Sequence, residues 1–206
     1  MLPDYSPDCK AEYTGRYKGR VVTAPRITLR ELTLDDWPDV HRWGSLPEAC
    51  RYEAWGPNTP DETRAFVSAA VADGFKRPRV RYAFAVTLPD GPRVIGLGEL
   101  RVRDVQTRLG DIGYVVHPDF WQRGIGTEVG RALLAFGFKE LKLHRITATC
   151  DPRNVASGRI LQKIGMTYEG RLRRDRLLRD GWRDSDLYAI LEVEWSADSP
   201  AAAGAG

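Results

Sequence analysis

The sequence predicts a mixed α/β domain: a mostly antiparallel central sheet flanked by about four helices. Three observations lead there. Short segments alternate apolar and polar residues with period two, two Thr-led stretches carry helix-start signals, and the second half runs strand, helix, strand, helix. With 206 residues, 42% of them hydrophobic, the chain is long enough for one substantial core.

The elements follow in order. RITLREL at 26–32 alternates as a half-buried strand does. Thr33-Leu-Asp-Asp36 resembles a capping box and opens a short helix through Trp43. Thr59-Pro-Asp-Glu62 is a fuller start, with Thr as N-cap, Pro in the first turn and Glu reaching back, for a helix through about Val71. YAFAVTL at 82–88 and RVIGLGELRV at 93–102 flank Pro89-Asp-Gly-Pro92 and read as a hairpin. DIGYVV at 111–116 is the next strand. The helix after it places Val129, Leu133, Phe136 and Glu140 on one face. HRITATC at 144–150 is a strand. NVASGRILQKIG at 154–165 is a helix with Ala156, Ile160 and Ile164 in register and Gly165 as its C-terminal cap. RLLRDGWRDSDLYAILEV at 176–193 is a hairpin turning at Asp180-Gly181.

Composition narrows the functional classes. No apolar run approaches the roughly 20 residues that cross a bilayer, and MLPDYSPDCK has prolines and acids where a secretory signal has a charged start and an apolar stretch. Cys9, Cys50 and Cys150 are odd in number and far apart. That excludes a zinc knuckle, argues against a disulfide framework, and leads to a reduced, cytoplasmic protein with no metal. A net charge of +3 suits an anionic ligand as well as a nucleic acid. The polar start and the low-complexity SADSPAAAGAG divide the chain into a flexible extension at 1–22, a domain at 23–195 and a disordered tail at 196–206.

The stretch VVHPDFWQRGIGTEVG draws the most attention. A turn running into a helix start exposes backbone N–H groups that favour an anion. Gly124 and Gly126 let phosphate oxygens approach, Arg123 adds charge and Thr127 a hydroxyl. No lysine follows the second glycine, which removes the nucleotide-triphosphatase loop, and Gly124, Gly126 and Gly130 miss the dinucleotide spacing by one residue. A pyrophosphate cradle of another type, or a ligand-free tight turn, remains.

Val116-His-Pro118, then Arg123-Gly124-Ile-Gly126 before an amphipathic helix, resembles the coenzyme-A loop of the GNAT N-acetyltransferase superfamily. Asn154-Val-Ala-Ser157, Lys163-Ile-Gly165-Met166 and Tyr168-Glu-Gly170-Arg171-Leu172-Arg173 are similar to the branch containing ribosomal-protein N-terminal (alanine/serine) acetyltransferases. LRELTLDDWPDV, RYEAWGPNTPDET and the D-G-W-x-D hairpin share that likeness, which spans roughly 26–195. It implies a GNAT-like fold and acetyl transfer from acetyl-CoA to a primary amine, either a protein N-terminal α-amine or a small molecule. A non-catalytic acyl-CoA-binding module is the alternative. Acetyl-CoA and the amine are the expected partners, a homodimer stays open, and neither membrane nor nucleic acid is expected.

The resemblance also implies roles. Val115 and Val116 would pair with the pantetheine arm beside a splayed strand, their N–H groups facing the oxyanion. The turn Gln122, Arg123, Gly124, Ile125, Gly126 and Thr127 would hold the diphosphate, Asn154 would orient the arm's amide, and Ser157 would bond the departing sulfur. Tyr52, Glu53 and Trp55 would border the acceptor groove. Glu99, in an apolar strand, is the expected base, with Asp111 as competitor; the alternative for either is a structural carboxylate paired, for instance, with Arg101 or Arg103. Asn154 also suits an N-cap, Ser157 a helix–sheet contact and Trp55 a core anchor, and His117 reads as structural. Two positions depart from the family pattern. Trp121 stands where Gln or Arg is common, and Leu161 stands where many members carry a tyrosine proton donor.

Overall fold

The computed structural model describes residues 22–195. Residues 1–21 and 196–206, with Cys9 and nearly all of both expected tails, lie outside the described residues. The strands are β1 (Val22–Ala24), β2 (Ile27–Glu31), β3 (Arg81–Leu88), β4 (Gly91–Asp104), β5 (Leu109–Val116), β6 (Arg145–Cys150), β7 (Thr167–Leu178) and β8 (Gly181–Leu191). The helices are α1 (Trp37–Gly44), α2 (Pro60–Asp73), α3 (Ile125–Ala135) and α4 (Val155–Lys163). One sheet runs β1-β2-β3-β4-β5-β6-β8-β7, antiparallel except where β5 meets β6. The fold class is the expected one.

Each helix start has its local cause. Thr59 Oγ1 accepts from the Glu62 N–H at 3.3 Å, while the Glu62 carboxylate accepts from the Thr59 N–H at 2.7 Å. Asp36 accepts from the Thr33 N–H at 2.7 Å, although the first turn, Leu34–Asp36, is a 3₁₀ helix before α1 begins. Both hairpins turn over two residues, Pro89-Asp90 and Arg179-Asp180, with Gly181 at φ +108° closing the second. That turn sits one residue before the expected Asp180-Gly181.

β3 shows why the sheet is covered on both faces. Tyr82, Phe84 and Val86 enter the core beneath α3, while Ala83 and Ala85 face the cluster formed by Val40, Trp43 and Val67 of α1 and α2. Alternation thus sends large side chains to one layer and small ones to the other. Phe136 sits edge-on to Tyr82 and Phe84 at centroid distances of 5.2 and 5.1 Å. Val129, Leu133 and Phe136 are buried as predicted. A π turn over Phe136–Glu140 then changes the rotation per residue before Glu140.

The buried face of α4 corrects the expected register. Ala156 is exposed and Ile160 half-buried, whereas Gly158, Leu161 and Ile164 are buried. Gly158 packs over Tyr188 of β8 because it has no side chain: a Cβ there would stand 3.0 Å from Tyr188 Oη. Gly165 ends it at φ +95°, as expected.

Candidate active site

The site begins with two strands parting. β5 pairs with β6 only from Leu109 to Asp111, while β6 stays on β8 as far as Cys150 and β5 stays on β4 as far as Val116. Beyond Asp111 one edge of β5 therefore faces a gap. The His117 N–H donates to the Ile95 carbonyl at 2.7 Å, so His117 points to β4. By the alternation of an antiparallel ladder, Val115 and Gly113 do the same, and Tyr114 and Val116 turn toward the gap. Of the two expected backbone donors, Val116 is presented to the gap; Val115 is held in the ladder, and Tyr114 takes its place.

Trp121 belongs to this edge too. Its indole N–H donates to the Val116 carbonyl at 2.7 Å, so a side chain with no guanidinium to offer a phosphate instead ties the loop to the strand end. His117 is structural, as expected: its Nδ1 accepts from the Asp119 N–H at 3.1 Å and its ring abuts Phe120.

At the start of α3 the two glycines do different things. Gly124 is the N-cap at φ +76°, a conformation that burdens any residue with a Cβ. Gly126 is closely packed, since a Cβ would stand 3.0 Å from Ile160 Cδ1 and 3.5 Å from Tyr114 Cε2. Ile125 is buried as an anchor, Thr127 half-buried, and Gln122 and Arg123 exposed, Arg123 lying over the Phe120 ring. Two residues that sequence reading missed brace the loop. The Arg26 guanidinium donates to the Arg123 carbonyl at 2.7 Å and pairs with Glu128, whose carboxylate also accepts from the Arg26 backbone N–H at 3.0 Å. Glu128 is buried in the first turn, where the helix dipole favours an acid. The first-turn N–H groups, the left-handed glycine and two adjacent arginines fit a diphosphate.

The gap opens into a cavity of ≈ 940 Å³. The residues expected on the coenzyme arm and on the acceptor, far apart in the chain, face it together: Val115, Asn154 and Ser157 with Tyr52, Glu53 and Trp55. The Asn154 carbonyl caps α4 by accepting from the Ser157 N–H at 3.1 Å. Leu161, at the position where many family members carry tyrosine, is a buried apolar part of the wall. The Tyr114 hydroxyl is buried on the same side with no hydrogen-bond partner among the described residues. A polar atom left so inside a cavity fits a site built for a ligand.

The carboxylates differ. One Glu99 oxygen accepts from Arg81 at 2.8 and 3.0 Å and the other from Arg101, while Arg81 reaches on to Asp73 of α2 at 3.0 Å. Glu99 thus ties β4 to β3 and α2, the structural role weighed beside that of base, with Arg81 an unforeseen partner. Asp111 pairs with Arg103; burial raises its pKa, and the guanidinium opposes the rise. Burial likewise raises that of Glu53, with Arg176 and a hydrogen bond from Trp55 opposing. Trp55 also packs edge-on to Trp43 at 6.0 Å, so it anchors the loop as well as facing the cavity. Cys50 and Cys150 are free thiols, each pushed up to about 11 by burial.

Comparison with known proteins agrees with this geometry. Residues 26–167 match the acetyltransferase (GNAT) domain model. The chain is 34% identical over 175 residues to the uncharacterized N-acetyltransferase YnaD of Bacillus subtilis, covering 85% of this chain and 99% of YnaD. It is 27% identical over 149 residues to the [ribosomal protein uS5]-alanine N-acetyltransferase of Escherichia coli, covering 69% and 76% of the two chains. A solved GNAT-family acetyltransferase from Bacillus anthracis superposes with a TM-score of 0.74 at 32% identity, covering 85% of this chain and all of that one.

Proposed function

The chain belongs to the GNAT acetyltransferase family and is an N-acetyltransferase, and on that premise we propose that it moves an acetyl group from acetyl-CoA to a primary amine by direct attack in a ternary complex. One observation carries the reading: the bare edge of β5, the start of α4 and the 52–55 loop face a single cavity. Acetyl-CoA supplies the acyl group as a thioester. The chain's own residues supply the rest. The start of α3 with Arg123 holds the diphosphate, and the β5 edge at Tyr114 and Val116 pairs with the arm. Holding both reactants together lowers the barrier by about 7–11 kcal/mol, and one backbone donor to the developing oxyanion adds about 2.7–4 kcal/mol.

Glu53 is the better base than Glu99. Its burial favours taking up a proton, and both oxygens of Glu99 are occupied by guanidinium groups. Glu53 would attract the ammonium and accept its proton. Among the described residues, six arginines and six carboxylates line the cavity, several already joined, as Arg81 and Arg101 are to Glu99 and Arg103 is to Asp111. Such a balanced wall lacks the net negative charge that draws a polycation and suits an acceptor with one ammonium. A protein N-terminus meets that condition, as does a small monoamine, and the first accords with the substrate named for the Escherichia coli relative.

Thiol release from acetyl-CoA tests this directly. Peptides beginning with alanine or serine, or small monoamines, are expected to release thiol faster than polyamines and aminoglycosides. Faster turnover of the polycations overturns the acceptor assignment, and no turnover of any amine overturns the acetyl-transfer reading.

A further inference from the structure

The family's usual tyrosine position is Leu161, yet a phenol reaches the same neighbourhood from a different element. Tyr114 projects from the splayed part of β5, its ring beside Gly126 of α3, where an added Cβ would stand 3.5 Å from Tyr114 Cε2. Its hydroxyl is buried beside Ser157 and unpartnered, and both residues line the cavity. Ser157 stands in turn beside Cys150 of β6, the ionisable side chain facing this pair.

We propose that the Tyr114 hydroxyl joins Ser157 in donating a hydrogen bond to the thioester sulfur as it leaves, the task assigned elsewhere in the family to a tyrosine at the Leu161 position. The inference rests on the acetyl-CoA reading of the site. In the step, the N–C bond forms and the C–S bond breaks with its electron pair on sulfur. The amine's surplus proton passes to Glu53 or solvent, and the two hydroxyls hold the thiolate until solvent protonates it.

Three features favour this role. A buried hydroxyl without a partner loses hydrogen bonds that a ligand atom restores. Burial pushes the Tyr114 phenol up to about 12, and the neighbouring Ser157 offsets part of that rise. Such a phenol remains a donor at the alkaline pH where an acceptor amine is neutral. Cys150, pushed up to about 11, stays uncharged over most of the same range and does not compete as an anion.

The test reads the sulfur itself. Free coenzyme A is bound to the full chain and its thiolate absorbance titrated. Tyr114→Phe keeps the ring and removes only the hydroxyl. It is expected to raise the bound thiol's pKa by about one unit, with affinity at neutral pH within about two-fold. With acetyl-CoA, kcat falls about 10- to 100-fold at unchanged KM. Replacing Tyr114 by fluorotyrosine, a stronger donor of the same shape, moves the thiol pKa downward. A bound thiol that titrates identically in the wild-type, Phe and fluorotyrosine proteins overturns the proposal and leaves acetyl transfer standing. Coenzyme A that fails to bind the wild-type chain overturns both.

Discussion

The two sides of the cavity are made of different material. At the start of α3 the coenzyme side offers backbone: a left-handed glycine, first-turn N–H groups and a bare strand edge, braced from behind by Arg26 and Glu128. The acceptor side offers side chains from several elements, with carboxylates and guanidinium groups tied in pairs around Glu53. Backbone amides bind a group that every reaction shares, and their geometry changes little with sequence. Side chains bind what differs between relatives, so the acceptor side is where specificity resides.

If that division holds, the largest effect comes from the backbone side. Gly124→Val puts a branched Cβ at φ +76° and 2.8 Å from the Arg26 guanidinium. It is expected to weaken acetyl-CoA binding more than about 100-fold by calorimetry and to cost about 1–3 kcal/mol of stability. Normal binding would mean that side chains, not this bend, hold the diphosphate.

Glu53→Gln should act on turnover and spare coenzyme affinity, with kcat down about 100-fold. Its pH signature has a definite sign. The Glu53 pKa is raised in the folded state above the ordinary 4.5. The stability it contributes is therefore full below the unfolded value and lost as pH rises through the folded one. Melting curves of the wild type are expected to fall relative to Glu53→Gln as pH rises from about 4 toward neutrality. Parallel curves would remove Glu53 as the buried base.

The brace gives a smaller, asymmetric effect. Arg26→Ala leaves the buried Glu128 carboxylate without its guanidinium and is expected to cost about 1–2 kcal/mol in denaturant melts. Glu128→Gln, which leaves only the largely exposed arginine, should cost less. Equal costs would show that the pair contributes through packing alone.

The smallest change separates the two glycines. In Gly126→Ala the added methyl meets the flexible tip of Ile160 while helix propensity improves by about 1 kcal/mol. Coenzyme affinity should stay within about three-fold of wild type, against the large loss at Gly124. A loss matching Gly124→Val would return Gly126 to the phosphate contact inferred from the sequence.

Much was legible locally. Thr59 with Glu62, the two hairpins and the Val129–Leu133–Phe136 stripe each depend on residues a few positions apart, and each stands where the pattern places it, save that the second hairpin turns one residue early. The α4 register was not, because Ala156, Ile160 and Ile164 form as good a helical stripe as Gly158, Leu161 and Ile164. Only the fit of Gly158 over Tyr188 selects the second. Glu99 was legible as a carboxylate near arginines, yet its partner Arg81 arrives from the neighbouring strand.

Read alone, the chain dictates most of its strands, its helix starts and its family, since these follow from propensity, capping and side-chain period over short stretches. Folding in three dimensions decides which edge of β5 is bare, that the backbone amides of Tyr114 and Val116 rather than Val115 point into the gap, and that Arg26 braces a loop 97 residues away. Ladder parity and contact between distant segments depend on how strands register and helices seat. No local window of sequence contains that information.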